Sequence, residues 1–390
     1  MRIAFYAPLK APTHAVPSGD RAVARLFMRA LAAAGHRVEL ASTLRSLDRA
    51  GERTRQRALR DAARAEAGVL IERDRAAPAA ERLDAWFTYH VYHKAPDWLG
   101  PAVSEALAIP YLIAEASFAP KRRDGPWAPG HAAAEDAIRR AGAVLAMTRD
   151  DAECLAPLIA DPHRLIAFPP FLDAAPYRAA RAARGRARAA LAEARGLDSD
   201  DPWLIAVGMM RPGDKHASYR RLAAALGRIA ARRWRLLVVG DGPARAAVEA
   251  LFAPLGRDRI AFLGERPRAA IPELLAAAEL FVWPAVNEAY GMAILEAQAA
   301  GLAVVAGRVR GVADIVRDRE TGLLAPADDD DALAAAIATL LDDPVRRARL
   351  GARAAETVAA RHDLAAAARR LDAALAIAGD GPGSSRGTRP

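Results

Sequence analysis

A strand, a helix and a second strand follow one another with little intervening chain between residues 280 and 306. The apolar run 280–283 predicts a buried strand, and a helix is expected over 292–300. Gly301 then supplies the left-handed residue that commonly ends a helix. The uninterrupted apolar run 302–306 is typical of a strand buried on both faces of a parallel sheet. Because parallel neighbours need a crossover helix, this segment predicts an α/β fold.

Two carboxylates and a glycine lie around the start of this helix. Glu288 precedes it, Gly291 permits close approach of a ligand to the backbone, and Glu296 lies on the helix itself. The free N–H groups of a helix start favour negative charge, so two acids there indicate a hydroxyl-rich ligand rather than a bare phosphate. The alternative is that both are ordinary surface acids, which is the commonest position for acidic side chains.

The segment resembles a motif of a known enzyme family. Seven residues separate Glu288 from Glu296, Pro284 precedes the pair and Tyr290-Gly291 lies within it. This pattern is similar to the E-x7-E motif of glycosyltransferase family 4. The resemblance implies the GT-B fold, in which two doubly wound Rossmann-like α/β domains face each other across a cleft. It also implies a retaining, metal-independent transfer from a nucleotide sugar.

The same resemblance implies roles for the residues of the motif. Glu296 would accept hydrogen bonds from the ribose hydroxyls of the donor, and Glu288 would meet the sugar. The backbone of Tyr290, Gly291 and Met292 would bind sugar hydroxyls. As the glycosidic bond breaks, negative charge grows on the leaving phosphate, so the chemistry also demands a basic partner.

A basic pair suited to this task follows the predicted strand 203–207. In the family, a glycine after this strand is followed by a basic pair that holds the donor diphosphate, and Gly208, Arg211 and Lys215 match it. Arginine can bind phosphate oxygens with two parallel hydrogen bonds, and lysine adds a point charge. By the same resemblance, Arg268 would lie near the nucleotide base and Gly19 near the donor phosphates.

The acceptor side is less clearly marked. After the predicted strand 111–114, several family members carry a histidine near the donor sugar, whereas this chain has Glu115 there. His90, His93 and His131 are nearby alternatives for that histidine. Trp127 beside a basic loop is a candidate for contact with the acceptor. Each histidine could instead be an ordinary hydrogen-bonded or surface residue.

With 390 residues and 53 % apolar content, the chain is long enough for two hydrophobic cores. We expect an acceptor-side domain, a helical connector, a donor domain, a C-terminal helix that crosses back to the first domain, and a disordered tail: 1–172, 173–200, 201–360, 361–378 and 379–390. A long arginine-rich helical stretch is also expected over 44–81, with either a solvated face or a basic face that meets a membrane or an anionic acceptor.

The formal net charge is +9, and arginine supplies most of the basic residues. This charge suggests anionic partners, with compositional bias toward arginine as the alternative. No zinc-binding spacing or basic–aromatic RNA signature is present, which argues against nucleic acid.

The single cysteine, Cys154, excludes an internal disulfide framework, fits a reducing cytosol and is expected to pack as a small residue. No apolar run is long enough to span a membrane, and the N-terminus lacks the pattern of a signal peptide.

The prediction is therefore a cytoplasmic glycosyltransferase, with peripheral membrane contact as an option. It would move a sugar from a UDP- or GDP-sugar to a glycan or lipid acceptor of the cell envelope, without a metal or other cofactor. Two rivals stay open. One is a GT-B nucleotide-sugar epimerase or phosphorylase, which shares the fold but not the reaction. The other is a non-catalytic basic protein that binds anionic lipid or nucleic acid, with steep salt dependence and no stabilisation by nucleotides.

Overall fold

The computed structural model describes residues 1–16, 18–256 and 258–380. They form two compact units. The first comprises Met1–Pro169 and the described residues from Leu364 onward, and the second comprises Pro170–Asp363. The tail predicted over 379–390 lies outside the described residues from position 381 on.

The first unit is built on a parallel sheet of six strands within the described residues. Its strands are β1 (Arg2–Tyr6), β2 (Arg37–Leu40), β3 (Ala85–Val91), β4 (Tyr111–Ala116), β5 (Ala143–Ala146) and β6 (Leu165–Ala167). Their order across the sheet is β2-β1-β3-β4-β5-β6, and every pairing is parallel. The helices between them are α1 (Gly19–Ala33), α2 (Arg53–Ala76), α3 (Gly100–Leu107), α4 (Ala128–Arg140) and α5 (Arg149–Leu155). Short 3-10 turns are found at Ala79–Glu81, Pro120–Arg122, Ala156–Leu158 and Pro162–Arg164.

The second unit repeats this architecture. Its strands are β7 (Trp203–Val207), β8 (Arg235–Val239), β9 (Ile260–Gly264), β10 (Leu280–Trp283), β11 (Ala303–Gly307) and β12 (Gly322–Ala325). They are parallel in the order β12-β11-β10-β7-β8-β9. Its helices are α6 (Ala175–Ala182), α7 (Arg184–Arg195), α8 (Asp214–Arg228), α9 (Arg245–Phe252), α10 (Ile271–Ala277), α11 (Met292–Ala299), α12 (Val312–Ile315), α13 (Asp330–Asp342) and α14 (Pro344–Arg361), with 3-10 turns at Ala253–Leu255 and Arg268–Ala270.

The last helix, α15 (Leu364–Gly379), belongs to the first unit and packs against α1, β4 and β5. Gly142 makes this contact possible, because a Cβ there would lie 2.9 Å from the carbonyl oxygen of Ala378. The described residues of the first unit therefore come from both ends of the sequence.

Burial explains why these segments form strands. The apolar runs of β7, β8, β10 and β11 are almost entirely buried, as expected for parallel strands covered by helices on both faces. The prediction of doubly wound α/β sheets is confirmed. In each sheet the strand order reverses once, between β1 and β3 in the first unit and between β7 and β10 in the second. Ligands of such sheets bind beyond the carboxyl ends of the strands at this switch point.

Three local predictions need correction. The helix expected over 44–81 is confined to α2, because the backbone N–H groups of Ser46 and Asp48 bond instead to the carbonyls of Pro8 and Lys94. Glu115 does not follow its strand but lies inside β4, which extends to Ala116. Cys154 is exposed rather than packed.

Candidate functional site

The loop after β7 is held against the turn after β8. Gly240, with a φ of +141°, lies so close to this loop that a Cβ would come within 1.9 Å of the carbonyl oxygen of Gly208. Met210 pairs through its backbone N–H with the carbonyl oxygen of Asp241 at 2.8 Å. Arg211 follows at the surface, and within the described residues its guanidinium has no ion pair. The loop thus presents an available cation at the switch point.

The first turns of α8 hold the loop that precedes α11. The backbone N–H of Val286 donates to Ser218 Oγ at 3.0 Å, and Asn287 Nδ2 donates to Asp214 Oδ2 at 3.1 Å. Asn287 and Ala285 both have positive φ, at +51° and +61°. Conformations of this kind persist only where surrounding contacts impose them, and such strain is often found at binding sites.

Lys215 and Glu288 meet at the centre of this arrangement. The ammonium group of Lys215 donates to Glu288 Oε2 in a close ion pair, although the two residues are 73 positions apart. Trp283, the last residue of β10, lies beneath them: its ring centroid is 5.4 Å from Lys215 Nζ. Its indole Nε1 is 3.4 Å from Glu288 Oε2. The basic residue and the first acid of the motif therefore form one half-buried cluster.

Glu296, the second acid of the motif, lies on α11. Its side chain is only 12 % exposed, Arg268 Nη2 lies 3.4 Å from Oε1, and Tyr177 on α6 hydrogen-bonds to the carboxylate. Burial raises the pKa of Glu296, while Arg268 and the Tyr177 hydroxyl oppose this shift. The structure thus holds an acid whose ionised form lacks full compensation, so an added hydrogen-bond donor would stabilise its charge.

Gly291 begins α11 in a left-handed conformation, with a φ of +72°. Its carbonyl oxygen accepts from the N–H groups of Ile294 and Leu295, at 2.8 and 3.1 Å. Tyr290 and Met292, on either side, are half-buried. The helix therefore begins with a left-handed backbone conformation that residues other than glycine rarely adopt.

In the first unit, a histidine lies among carboxylates at the switch point. His90 Nδ1 is 3.1 Å from Asp20 Oδ1 and 3.5 Å from Glu115 Oε1. Burial opposes the charge of His90, but Glu115 and Asp20 outweigh it and the pKa of His90 is raised. Both His90 and Glu115 have positive φ, at +66° and +60°. Gly19, the first residue of α1, is exposed, and a Cβ there would meet nothing within 4 Å.

His93 and Trp127 form a separate pair in the first unit, with ring centroids 5.7 Å apart in an edge-on arrangement. Lys94 and Arg122 lie against the same indole ring. Both His93 and Trp127 are acceptor-side candidates from the sequence, and the structure groups them with Lys94 and Arg122.

Two functional contacts were not foreseen. The segment 173–200 drew no functional prediction, yet Tyr177 within it bonds to Glu296. Asp20, which holds His90, was also missed, although its position directly after Gly19 at a predicted ligand loop was an available signal. The acids 328–331 have structural partners: Asp329 caps α13, and Asp328 and Asp330 pair with Arg221.

The described part of the chain contains no helix whose length and apolar character would allow it to cross a membrane. Nor does this part bring three or more His, Cys, Asp or Glu side chains together in a group suited to a metal ion.

Comparison with known proteins identifies similar sequences and structures. The family described as glycosyl transferases group 1 matches residues 201–343. Alpha-D-kanosaminyltransferase of Streptomyces kanamyceticus is 36 % identical over 252 residues, which cover 63 % of this chain and 61 % of that protein. D-inositol 3-phosphate glycosyltransferase of Xylanimonas cellulosilytica is 31 % identical over 297 residues, covering 71 % of this chain and 69 % of the relative. The match therefore spans less than two thirds of the first of these relatives and slightly more of the second.

Among solved structures, HepE of Anabaena in complex with UDP superimposes with a TM-score of 0.70 at 17 % identity. The alignment covers 96 % of this chain and 100 % of the HepE chain. At this identity the likeness concerns the fold, and it confirms the predicted GT-B class.

Proposed function

Because the chain belongs to the glycosyl transferases of group 1, we propose that it is a retaining enzyme of family 4 that moves a sugar from a nucleotide diphosphate to a glycan or lipid acceptor. The observation that carries the proposal is the Lys215–Glu288 ion pair at the switch point of the second sheet. The largely buried Glu296 follows Glu288 in the sequence, after the rest of the loop and the first turn of α11. The division into a donor domain over 201–360 and an acceptor-side domain over 1–172, joined by the 173–200 connector, is part of the same proposal.

We propose that the donor is a UDP- or GDP-sugar bound by the second unit. HepE, which shares the fold, has been solved with UDP, and this supports UDP as the first candidate. Glu296 accepts hydrogen bonds from the two ribose hydroxyls. These bonds stabilise the charge of its buried carboxylate, which Arg268 and Tyr177 compensate only in part. Arg268 lies beside the base, and the backbone from Tyr290 to Met292 meets the sugar hydroxyls.

The transfer breaks the bond between the anomeric carbon and the diphosphate oxygen, and forms a bond from the same carbon to an acceptor oxygen. Positive charge develops on the sugar and negative charge on the leaving diphosphate. Lys215 and Arg211 neutralise the diphosphate, a role that requires no metal. Glu288 orients Lys215 and meets the sugar, and Gly208 leaves room for the phosphates.

The first unit supplies the acceptor-side candidates. His90, whose pKa is raised by Glu115 and Asp20 against the effect of burial, is suited to donate a hydrogen bond, and Glu115 to accept the proton of the acceptor hydroxyl. His93 and Trp127 contact a more distant part of the acceptor. The name of the Xylanimonas cellulosilytica relative includes an inositol phosphate, so a small polar acceptor is as compatible with the proposal as an envelope polysaccharide. A cytoplasmic location, with contact at the inner face of a membrane, completes the proposal.

Nucleotide release provides the direct test. The protein is incubated with UDP-glucose, GDP-mannose and related donors, with and without pooled glycan and glycolipid acceptors, and free nucleotide is measured. We expect release of one nucleotide class that depends on acceptor and is abolished in Glu288→Gln.

The same assay separates the rival functions. Conversion of the sugar without acceptor would indicate an epimerase, and release that requires inorganic phosphate would indicate a phosphorylase. Absence of any nucleotide binding would contradict all enzymatic alternatives and favour a basic binding protein.

A further inference from the structure

The loop after β3 and the loop after β4 bring two cations to one indole ring. Lys94 Nζ lies 4.6 Å from the ring centroid of Trp127, and the guanidinium carbon of Arg122 lies 5.4 Å from it. The imidazole of His93 approaches the same ring edge-on. This cluster, which we term the Trp127 cluster, consists of His93, Lys94, Arg122 and Trp127. It lies beyond the carboxyl ends of β3 and β4, the edge of a parallel sheet where ligands bind.

The backbone of the Trp127 cluster is fixed from three sides. The carbonyl oxygen of Lys94 accepts from the N–H of Asp48 at 2.8 Å, and Trp127 Nε1 donates to the carbonyl oxygen of Asp48 at 3.0 Å. Gly130 on α4 lies so close that a Cβ would come within 2.2 Å of the His93 carbonyl oxygen. The side chains therefore project from a fixed backbone, so binding of a ligand requires no ordering of the backbone.

The positive charge of the cluster is not balanced. Within the described residues, neither Lys94 nor Arg122 makes an ion pair. The neighbouring acids are already engaged: Asp48 accepts from Gln56 and from the N–H of Ala50. Arg123, the next residue of the loop, illustrates the ordinary alternative, because it faces Glu135 at 3.9 Å. Two unpaired cations at one indole ring attract an anion.

His93 adds an independent indication. Its Nε2 is buried and has no hydrogen-bond partner among the described residues. Burial, followed by the charges of Lys94 and Arg122, lowers the pKa of His93 to about 4. The ring is therefore neutral near pH 7 and retains an unused polar atom. Buried polar atoms of this kind usually have a partner, so a missing one points to a ligand or water.

We propose that the Trp127 cluster binds the phosphate group of an anionic acceptor. A phosphate monoester or diester offers several acceptor oxygens to the guanidinium fork of Arg122 and a negative charge to Lys94. The inference rests on the proposed glycosyltransferase function and adds the chemical class of the acceptor. The phosphate can belong to a soluble sugar phosphate or to the headgroup of a lipid-linked acceptor, and the chemistry of the cluster is the same for both.

Calorimetric titration tests the proposal, with UDP or GDP present at saturation so that the diphosphate site of the second unit is occupied. Glucose 6-phosphate is the soluble probe and glucose its uncharged control. Phosphatidylglycerol vesicles are the lipid probe, with phosphatidylcholine vesicles as control. Nucleotide binding is measured first in each sample, so failure of the donor site is recognised separately from failure of the cluster.

We expect one phosphate-bearing probe to bind and its uncharged control not to bind. Lys94→Met and Arg122→Gln should each weaken this binding by roughly tenfold, as expected for loss of one charge-assisted hydrogen bond. Arg123→Gln, the matched control on the same loop, should bind like the wild type. Preference for glucose 6-phosphate indicates a soluble acceptor, and preference for phosphatidylglycerol indicates a lipid one.

Three results would overturn the proposal: no binding of either probe, binding unchanged in both variants, or an equal loss in Arg123→Gln. A readout that does not depend on a variant is the titration of the His93 ring by NMR. A phosphate beside the ring should raise the pKa of His93 from about 4, whereas a purely structural histidine should titrate identically with and without the probe.

Discussion

The switch points of the two sheets carry charge in opposite ways. In the second unit, each acid of the motif already faces a cation: Glu288 faces Lys215, and Glu296 faces Arg268. In the first unit, a histidine lies between acids, while Lys94 and Arg122 have no acidic partner in the described chain. The difference indicates two tasks. The second unit holds its motif acids in ion pairs and leaves Arg211 for a diphosphate, whereas the first unit leaves Lys94 and Arg122 for a different anionic partner.

The largest effect is expected at the centre of the second switch point. Lys215→Met should lower the rate of transfer by roughly 10²–10³-fold, the usual consequence of removing one donor to developing negative charge. Steady-state nucleotide release measures it. Arg220→Gln, at an exposed position of the same helix, is the control and should retain wild-type rates. A Lys215→Met enzyme with nearly normal turnover would remove this residue from the reaction.

An intermediate effect is expected where the second unit binds the donor. Tyr177→Phe removes the hydroxyl that bonds to Glu296 and should weaken nucleotide binding by about tenfold, because a hydrogen bond to a charged group contributes roughly 1.5–3 kcal/mol. Equilibrium titration with UDP or GDP measures the dissociation constant. Arg178→Gln on the same helix, whose side chain pairs with Asp363, should bind normally. Equal affinities in the Tyr177→Phe and wild-type proteins would show that the hydroxyl has no part in donor binding.

The smallest effect concerns the first unit and has a distinctive pH dependence. The pKa of His90 is raised, so its ionised form stabilises the fold below the ordinary histidine pKa, and this stabilisation disappears as the pH rises through the raised value. His90→Gln should therefore be most destabilising near pH 6 and progressively less so toward alkaline pH. Chemical denaturation across this range measures the free energy of unfolding.

His36 provides a control of opposite sign. Burial lowers its pKa, so the neutral form is favoured and the stability it confers is lost as the pH falls. His36→Gln should thus become less destabilising toward acid pH. Parallel profiles for the two variants would contradict the electrostatic account of the first switch point.

Much of the second unit could be predicted from local sequence. The bounds of β7 and β10 agree with the predicted strands 203–207 and 280–283, because buried parallel strands tolerate few polar residues. The same regularity locates Glu288 and Lys215 at adjacent strand ends. Their direct ion pair, between residues 73 positions apart, is a tertiary contact that only the topology reveals.

The features that escaped prediction depend on long-range contacts. The alanine- and arginine-rich composition of 173–200 predicts a helix but does not show which face of that helix contacts Glu296. The role of Tyr177 could therefore not be predicted from the sequence. The arginine-rich stretch from residue 44 has helical composition, yet its first residues bond to other loops, and Gly51 turns the chain with a φ of +78°. Here tertiary hydrogen bonds override local propensity.

The central claim is that Glu296 belongs to a nucleotide site in the second unit, and comparison of Glu296→Gln with the wild type tests it. Because burial raises the pKa of Glu296, ionisation of its carboxyl costs stability as the pH rises above the ordinary carboxyl range, and Glu296→Gln removes this cost. The unliganded variant should therefore be at least as stable as the wild type.

Thermal unfolding of both proteins at pH 7, with and without UDP or GDP, is the decisive measurement. At a hundred times its dissociation constant, a nucleotide should stabilise the wild type by about 2.7 kcal/mol. The account predicts that this stabilisation is lost in Glu296→Gln while the unliganded variant stays folded. An unfolded variant, or an equal nucleotide-induced shift in both proteins, would contradict it.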